Sequence, residues 1–315
     1  MKDINMRRIV ILMVVSFTCI LLYKAMHHAN VDSLIRNRFK GCDNLKGSES
    51  DAFILGRLLL AEKNWYEAVD LRHKYMKNKN LDTFKSWGDS GFTVLWNLFA
   101  PTFDCPYMRQ RIGSIGDGGK WVCGFELLEE TKTSQASCIV YSFGVNTESS
   151  FEAEILQKTN CDVFAYDMTV SKMGQQVAGV KSKLTFTKVG LGAKNTDDLK
   201  TLATLMEENG HTWIDILKID IEGNEFEALE GLFNSYDILP FGQLQLEIHL
   251  QKFKFPKFYP WWEQLESKGL RPFSSEINLN PCVNTKRDPP ELMEYSFINV
   301  RTNHMLVPKG FQPKM

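Results

Sequence analysis

An apolar run over residues 138–143 that ends at Gly144 constrains the fold of this chain more than any other stretch. A continuous run of this kind is typical of a strand that is buried on both faces of a parallel sheet. Residues 149–152 have the spacing of a capping box, which predicts that a helix begins directly after the turn. Residues 162–166 predict a second strand, which ends at the carboxylate of Asp167. The sequence therefore predicts a β-turn-α-β unit within an α/β domain.

The spacing of this unit suits a ligand that carries ribose hydroxyls. Asp167 follows Gly144 by 23 residues, close to the roughly 20 residues between a nucleotide-binding turn and the acid that binds its ribose. The missing Cβ at Gly144 lets the backbone approach a ligand closely. A dinucleotide fingerprint needs three glycines here, so an adenosyl ligand without phosphates is favoured over NAD. The alternative is an ordinary βαβ unit in which Asp167 caps the next turn.

The N-terminal segment predicts a membrane anchor. Basic residues precede an uncharged run at residues 9–23, which extends to residue 26 if Lys24 reaches the interface. This length lies between a signal-peptide core and a membrane-spanning helix, and no convincing cleavage site follows. We expect an uncleaved signal-anchor over residues 9–26, with residues 1–8 as a cytosolic basic tail. The chain would then be a type II single-pass membrane protein with a luminal or extracellular body, or a secreted protein if the segment is cleaved.

The sequence pattern of the rest of the chain changes near residue 100. Residues 27–100 have a helical pattern and predict a stem and helical cover, whereas residues 101–315 predict the α/β domain. The net charge of −1 gives no electrostatic footprint for nucleic acid, so no nucleic-acid partner is expected. The seven cysteines include no CxxC pair, so a structural zinc site is not expected.

Polar residues at two later strand ends predict the reactive part of the site. Asp220 and Glu222 follow a buried strand over residues 214–219, and His249 ends an alternating strand. Parallel α/β sheets bind ligands beyond the carboxyl ends of their strands, and histidine has a pKa near neutral. These three side chains are therefore the catalytic candidates. A salt bridge between Lys218 and Glu222 is the structural alternative.

A glycine-rich loop and a C-terminal pair of strands complete the pattern. Asp117 and Gly118 lie in the loop, which predicts a β-hairpin, or alternatively a loop that places them over a cofactor pocket. Residues 270–277 and 295–300 predict two strands that pair as an antiparallel hairpin at the end of the sheet.

Four segments resemble the methyltransferase-like protein 24 family, which is related to FkbM-type S-adenosylmethionine-dependent methyltransferases. They are residues 112–122, 140–145, 164–167 and 217–225, of which the last, with the sequence Leu-Lys-Ile-Asp-Ile-Glu-Gly-Asn-Glu, is the most specific. The resemblance implies a class I methyltransferase fold: a seven-stranded, mostly parallel sheet with helices on both faces and a terminal antiparallel hairpin.

The resemblance also implies S-adenosyl-L-methionine as the cofactor. Gly144 would admit its methionine part and Asp167 would accept hydrogen bonds from its ribose hydroxyls. Asn146 stands where these enzymes usually have the second glycine of a Gly-x-Gly turn. Asp117 and Gly118 complete the predicted cofactor-binding set.

Methyl transfer needs alignment of donor and acceptor, and a base if the acceptor is a hydroxyl. As a hypothesis, His249 or Asp220 deprotonates an acceptor oxygen that Glu222 positions. We assign no metal ligand, although these three residues could instead hold a divalent metal that lowers the pKa of the acceptor.

The methyl acceptor is left open as a glycan, lipid, small molecule or protein, with O-methylation as one option. One alternative function is a catalytically inactive binding protein with the class I methyltransferase fold at the membrane. An NAD-linked oxidoreductase is disfavoured by the missing glycines. If the body is luminal, the disulfide pairs Cys105–Cys123 and Cys138–Cys161 are expected, although sequence alone does not determine connectivity.

Overall fold

The computed structural model describes residues 47–83, 96–250, 255–278 and 292–313. The chain divides into two compact units, Met1–Phe53 and Ile54–Met315, and the whole sheet lies in the second. The predicted signal-anchor at residues 9–26 lies outside the described residues. Among the residues that are described, no helix has the length and apolar character needed to cross a membrane. The boundary at residue 100, between a helical stem and the α/β domain, stays a prediction.

The described residues form helices and strands in the alternating order predicted for an α/β domain. The helices of eight or more residues are α1 Gly47–Met76, α2 Phe125–Ser134, α3 Ser150–Lys158, α4 Leu202–Asn209, α5 Glu225–Ser235 and α6 Phe255–Ser267. The strands are β1 Arg109–Ile112, β2 Lys120–Cys123, β3 Ile139–Phe143, β4 Asp162–Tyr166, β5 Leu184–Thr187, β6 Gly190–Leu191, β7 Leu199–Lys200, β8 Ile214–Ile219, β9 Phe241–His249, β10 Leu270–Ile277 and β11 Leu292–Asn299. Short 3-10 helices occur at Leu81–Thr83, Gln175–Val177 and Lys181–Lys183.

Seven of these strands form one sheet in the order β10-β11-β9-β8-β3-β4-β5. The strands from β9 to β5 are parallel, and β11 runs antiparallel to both β9 and β10. This arrangement confirms the predicted class I methyltransferase-like α/β fold and its terminal antiparallel hairpin. The carboxyl ends of β3, β4, β8 and β9 therefore meet at one edge.

Apolar side chains fill both faces of this sheet. One face packs against α4, α5 and α6 in a core that includes Phe143 and the fully buried Trp262. The other face packs against α2, α3 and the β1–β2 hairpin through residues such as Val140 and Phe151. Burial of each such side chain contributes about 1.5–3 kcal/mol. The strands are thus held rigidly enough to place the polar residues at their ends.

The polar face of β9 carries the β1–β2 hairpin. The side-chain amide of Gln243 accepts from the backbone N–H of Cys123 (2.9 Å) and donates to its carbonyl (3.0 Å). Gln245 donates to the carbonyl of Trp121 (3.2 Å). These bonds fix β2, and with it the loop over residues 113–119, above the carboxyl edge of the sheet.

Both expected disulfides are present. Cys105–Cys123 has a Cα–Cα distance of 5.7 Å and ties the segment before β1 to the end of β2. Cys138–Cys161 has a Cα–Cα distance of 4.4 Å and joins the residues that precede β3 and β4. Each bond closes a short loop, which stabilises a fold by about 3 kcal/mol.

The predicted capping box was wrong in its hydrogen bonds, although α3 begins where it indicated. The hydroxyl of Ser149 accepts from the backbone N–H of Gly174 (3.0 Å), and Glu152 accepts from the hydroxyl of Ser142 (2.5 Å). Ser149 and Glu152 are both buried. A buried polar group needs a partner, and these tertiary partners replace the local ones.

Candidate active site

A cavity of about 390 Å³ opens at the carboxyl edge of the sheet. It lies where the strand order reverses, with β4 and β5 on one side of β3 and β8 and β9 on the other. Open α/β sheets bind their ligands at such switch points. All eight site residues proposed from the sequence line this cavity: Asp117, Gly118, Gly144, Asn146, Asp167, Asp220, Glu222 and His249.

Gly144 occupies the turn after β3 with a φ of 73°. A Cβ at this position would overlap the backbone carbonyl oxygen of Asp220. The glycine is therefore required by the close approach of the backbone directly after β8 as well as by the left-handed φ. The sequence-based reason, close approach to a ligand, differs from the contact that the structure shows.

Asn146 keeps the conformation that a second glycine would provide. Its φ is 41°, in the left-handed region that asparagine tolerates better than most residues. Its backbone N–H donates to Oδ2 of Asp167 at 2.8 Å. The departure from Gly-x-Gly therefore preserves the shape of the turn and connects it to the acid.

Asp167 caps the turn that follows β4 and also lines the cavity. The turn cap expected as one alternative is therefore present, and ribose binding by Asp167 stays a prediction. Its Oδ1 accepts from the N–H of Thr169 (2.7 Å), the hydroxyl of Thr169 (2.6 Å) and the N–H of Val170 (3.3 Å). Burial opposes the charge of this carboxylate, but these bonds and that from Asn146 outweigh burial and lower its pKa. Asp167 is therefore ionised at neutral pH.

The cavity has an apolar end beside β4 and β5. Met168, Leu191 and Leu199 line it there, together with the ring of Tyr166. Tyr166 stacks on Phe143 with ring centroids 4.7 Å apart, which fixes the floor of this end. A flat heterocycle can be accommodated between such side chains.

Residues 113–119 form the predicted hairpin loop and also cover the cavity. Arg111 anchors the loop, since its guanidinium binds Glu276 (2.6 Å) and donates to the carbonyl of Gly116 (3.0 Å). Gly118 has a φ of 91°, and a Cβ there would overlap the carboxylate of Glu148. Asp117 and Gly118 are therefore held at the rim by side chains of other elements.

The opposite end of the cavity is charged and is supported by Lys120, which sequence reasoning missed. Lys120 is 2% exposed, forms an ion pair with Glu294, and lies 3.6 Å from Oδ2 of Asp220. Burial opposes its charge, but the carboxylates of Glu294 and Asp220 outweigh burial and raise its pKa. Burial likewise opposes the ionisation of Asp220, and the charges of Lys120 and Lys218 lower its pKa below the ordinary value.

Glu247 shares this end, although it was not among the candidates. It lies opposite Glu294 in the β9–β11 register and accepts from the side-chain amide of Asn278 at 2.8 Å. Burial and the charges of Asp220 and Glu294 raise the pKa of Glu247 to about 9. Glu247 thus holds a proton at neutral pH. The alternation of β9 puts it on the face of Gln243 and Gln245, a signal available in the sequence.

His249 is held by a second residue that sequence reasoning missed, Glu225 at the start of α5. One oxygen of Glu225 accepts from the backbone N–H of His249 (2.7 Å) and lies 2.8 Å from its Nδ1. Burial favours neutral His249, but the hydrogen bond and charge of Glu225 raise its pKa to about 9. The imidazole is therefore cationic at neutral pH, in contrast to the near-neutral pKa expected from the sequence.

The side chain of Glu222 lies beside His249 and forms no ion pair with Lys218 among the described residues. Its Oε2 lies 3.5 Å from Nε2 of His249, whereas Lys218 lies 3.9 Å from Glu152. Asp220, Glu222 and His249 each offer one ligand atom, and these atoms lie within 4.8 Å of one another. Asp117, Asp220 and Glu247 form a second set of the same kind.

Similarity to known proteins identifies the family of this chain. The family model described as "Methyltransferase domain" matches residues 58–298. The chain belongs to this methyltransferase family. It is 25% identical over 188 residues to the human protein named "Probable methyltransferase-like protein 24", covering 52% of this chain and 49% of that protein. The rat protein of the same name is 25% identical over 185 residues, covering 52% and 50%.

The chain therefore spans about half the length of the curated relatives it matches. Among solved structures it is similar to the Burkholderia thailandensis 1,6-didemethyltoxoflavin-N1-methyltransferase, whose structure contains S-adenosylhomocysteine. The TM-score is 0.32 at 11% identity, over 55% of this chain and 75% of that chain.

Proposed function

We propose that this chain is an S-adenosylmethionine-dependent methyltransferase whose cofactor and acceptor share the cavity at the carboxyl edge of the sheet. The observation that carries the proposal is that the eight residues predicted from the sequence meet in one cavity of a methyltransferase-family fold. Its volume of about 390 Å³ lies within the range of small-molecule sites.

The described residues fit an adenosyl cofactor. Asp167 is ionised, and its Oδ2 accepts one hydrogen bond, from Asn146, which leaves acceptor capacity for a ribose hydroxyl. The apolar end at Met168, Leu191 and Leu199 suits an adenine ring. When bound, the cofactor supplies a methyl group activated by a sulfonium.

The opposite end suits the acceptor. Asp220, Glu222 and His249 lie beyond the β3–β8 switch point from the apolar end. Their role is to position the acceptor and to take part in removal of its proton, since a hydroxyl must lose a proton when it is methylated. We propose a hydroxyl acceptor, carried by a glycan, lipid, small molecule or protein.

We also propose that the body of the chain lies in the secretory lumen or outside the cell, with residues 9–26 as the anchor. The two disulfides support this address, because disulfides persist in oxidising compartments. Protease protection of microsomes tests it: digestion of the body without detergent would contradict the orientation.

Isothermal titration of the purified full chain with S-adenosylmethionine tests the cofactor assignment. We expect one binding site, and Asp167→Asn should weaken binding by about tenfold or more, because it removes a hydrogen bond to a charged acceptor. The exposed Asp197 provides the matched control, Asp197→Asn, which should bind as the wild type does.

Labelled S-adenosylmethionine with fractionated cell extract then tests transfer. Label in a product that is absent with Asp167→Asn supports the enzyme. Cofactor binding without transfer to any fraction would favour the non-catalytic alternative, and no cofactor binding at all would overturn the proposal.

A further inference from the structure

We propose that Asp220, Glu222 and His249 bind a divalent cation of the Mn²⁺ type, which holds and acidifies the acceptor hydroxyl. The binding site stands on the geometry of these residues, and its use in catalysis rests on the proposed methyl transfer. Their ligand atoms lie within 4.8 Å of one another, and the His249 Nε2–Glu222 Oε2 distance is 3.5 Å. Two ligands of one octahedral cation, each about 2.1 Å from it, are about 3 Å apart.

The orientation of His249 is an independent indication of a ligand. Its side chain is 5% exposed, and Glu225 engages both its backbone N–H and its Nδ1. Nε2 therefore faces the cavity and Oε2 of Glu222, which lies 3.5 Å away. A cation that binds at Nε2 replaces the proton held there, since metal binding to histidine releases protons. A metal-binding histidine almost always donates its other ring N–H to a carboxylate or carbonyl, as His249 can to Glu225.

The donor set indicates which cation would bind. One imidazole nitrogen and two carboxylate oxygens suit Mn²⁺ or Zn²⁺ better than Mg²⁺ or Ca²⁺, which favour oxygen ligands alone. Three protein ligands leave coordination positions open for water and an acceptor. Glu222 is the ligand nearest to solvent, with a side chain that is 85% exposed, so a cation can reach the site from the cavity mouth.

The chemistry at this site balances without a redox partner. An acceptor hydroxyl at an open coordination position loses its proton to solvent, because the cation lowers its pKa. The oxygen then forms a bond to the methyl carbon, and the carbon–sulfur bond breaks with its electron pair left on sulfur. The products are a methyl ether and the neutral thioether.

Electron paramagnetic resonance of Mn²⁺ with the full chain, first stripped by EDTA, tests the proposal. The wild type should bind one equivalent of Mn²⁺ and reduce the signal of the free ion. Asp220→Asn and His249→Ala should each weaken Mn²⁺ binding at least tenfold. Glu225→Gln should weaken it about 10–100-fold through His249, although Glu225 is not a ligand.

Glu222→Gln is the decisive variant, because the side chain is 85% exposed and substitutions at exposed positions usually leave stability nearly unchanged. It should weaken Mn²⁺ binding, whereas the control Glu227→Gln, on the exposed face of α5, should not. Unchanged binding in Glu222→Gln and Asp220→Asn, or no binding in the wild type, would overturn the metal site. S-adenosylmethionine binding measured in EDTA reports on the proposed function separately, so the two failures can be distinguished.

Discussion

The two ends of the cavity differ in whether backbone conformation or buried charge determines their shape. The end near β4 is shaped by backbone: Gly144 and Asn146 in left-handed conformations, and Asp167 bonded to backbone N–H groups. The end near β9 is shaped by buried charges, in which Lys120 lies among the carboxylates of Asp220 and Glu294. We therefore expect the first end to be sensitive to steric changes and the second to changes of charge.

Removal of the buried cation should produce the largest effect. Lys120→Met removes the stronger of the two lysine charges that act on the buried Asp220 and Glu294, and loss of one partner of a buried ion pair typically costs about 3–5 kcal/mol. Urea denaturation measures the loss, and Lys194→Met, at an exposed position, is the control. A loss below about 1 kcal/mol would contradict the role given to charge at this end.

A methyl group at the turn after β3 should have the next largest effect. Gly144→Ala forces overlap with the Asp220 carbonyl and a left-handed alanine, so we expect a loss of about 2–4 kcal/mol. Gly179→Ala is the matched control, because a Cβ at Gly179 meets nothing within 4 Å. Equal denaturation midpoints for the two variants would refute the steric account.

Two substitutions of Asn146 should separate the effect of backbone conformation from the effect of side-chain chemistry. Asn146→Gly keeps the left-handed φ available and should change stability by less than about 1 kcal/mol. Asn146→Val should cost about 1–2 kcal/mol, since a β-branched residue is strained there. If both variants bind S-adenosylmethionine equally and unfold together, backbone shape is not what this end requires.

The smallest expected effect is the acid dependence of Asp167. Its pKa is lowered in the folded chain, so its contribution is present above the unfolded value of about 3.8 and is lost as the pH falls through the lower folded value. The difference in unfolding free energy between wild type and Asp167→Asn should therefore narrow from pH 7 to pH 3. A difference that widens over this range would reverse the assigned sign.

Much of the fold follows from local pattern, because buried parallel strands are continuous apolar runs. The bounds of β4 and β8 agree with prediction, and the terminal hairpin differs in the start of β11, at Leu292 instead of 295. The cavity residues were also predictable, since strand ends at a switch point converge whatever the side chains are. Their placement follows from topology; their chemical roles stay proposals.

Lys120 and Glu225, which support the site residues, could not be predicted from local sequence patterns. Lys120 comes from a separate hairpin and pairs with Glu294, 174 residues later. Glu225 begins α5, and its bond to His249 depends on how α5 packs beside β9. These contacts decide the charges of Asp220 and His249, so the pKa of a site residue required the tertiary structure even where its position did not.

Hydrogen-exchange mass spectrometry with and without S-adenosylhomocysteine tests the division of the cavity most directly. We expect slower exchange for amides 144–147 and 167–170, with little change at residues 247–249. Protection confined to residues 247–249, or no protection anywhere in the cavity, would contradict it.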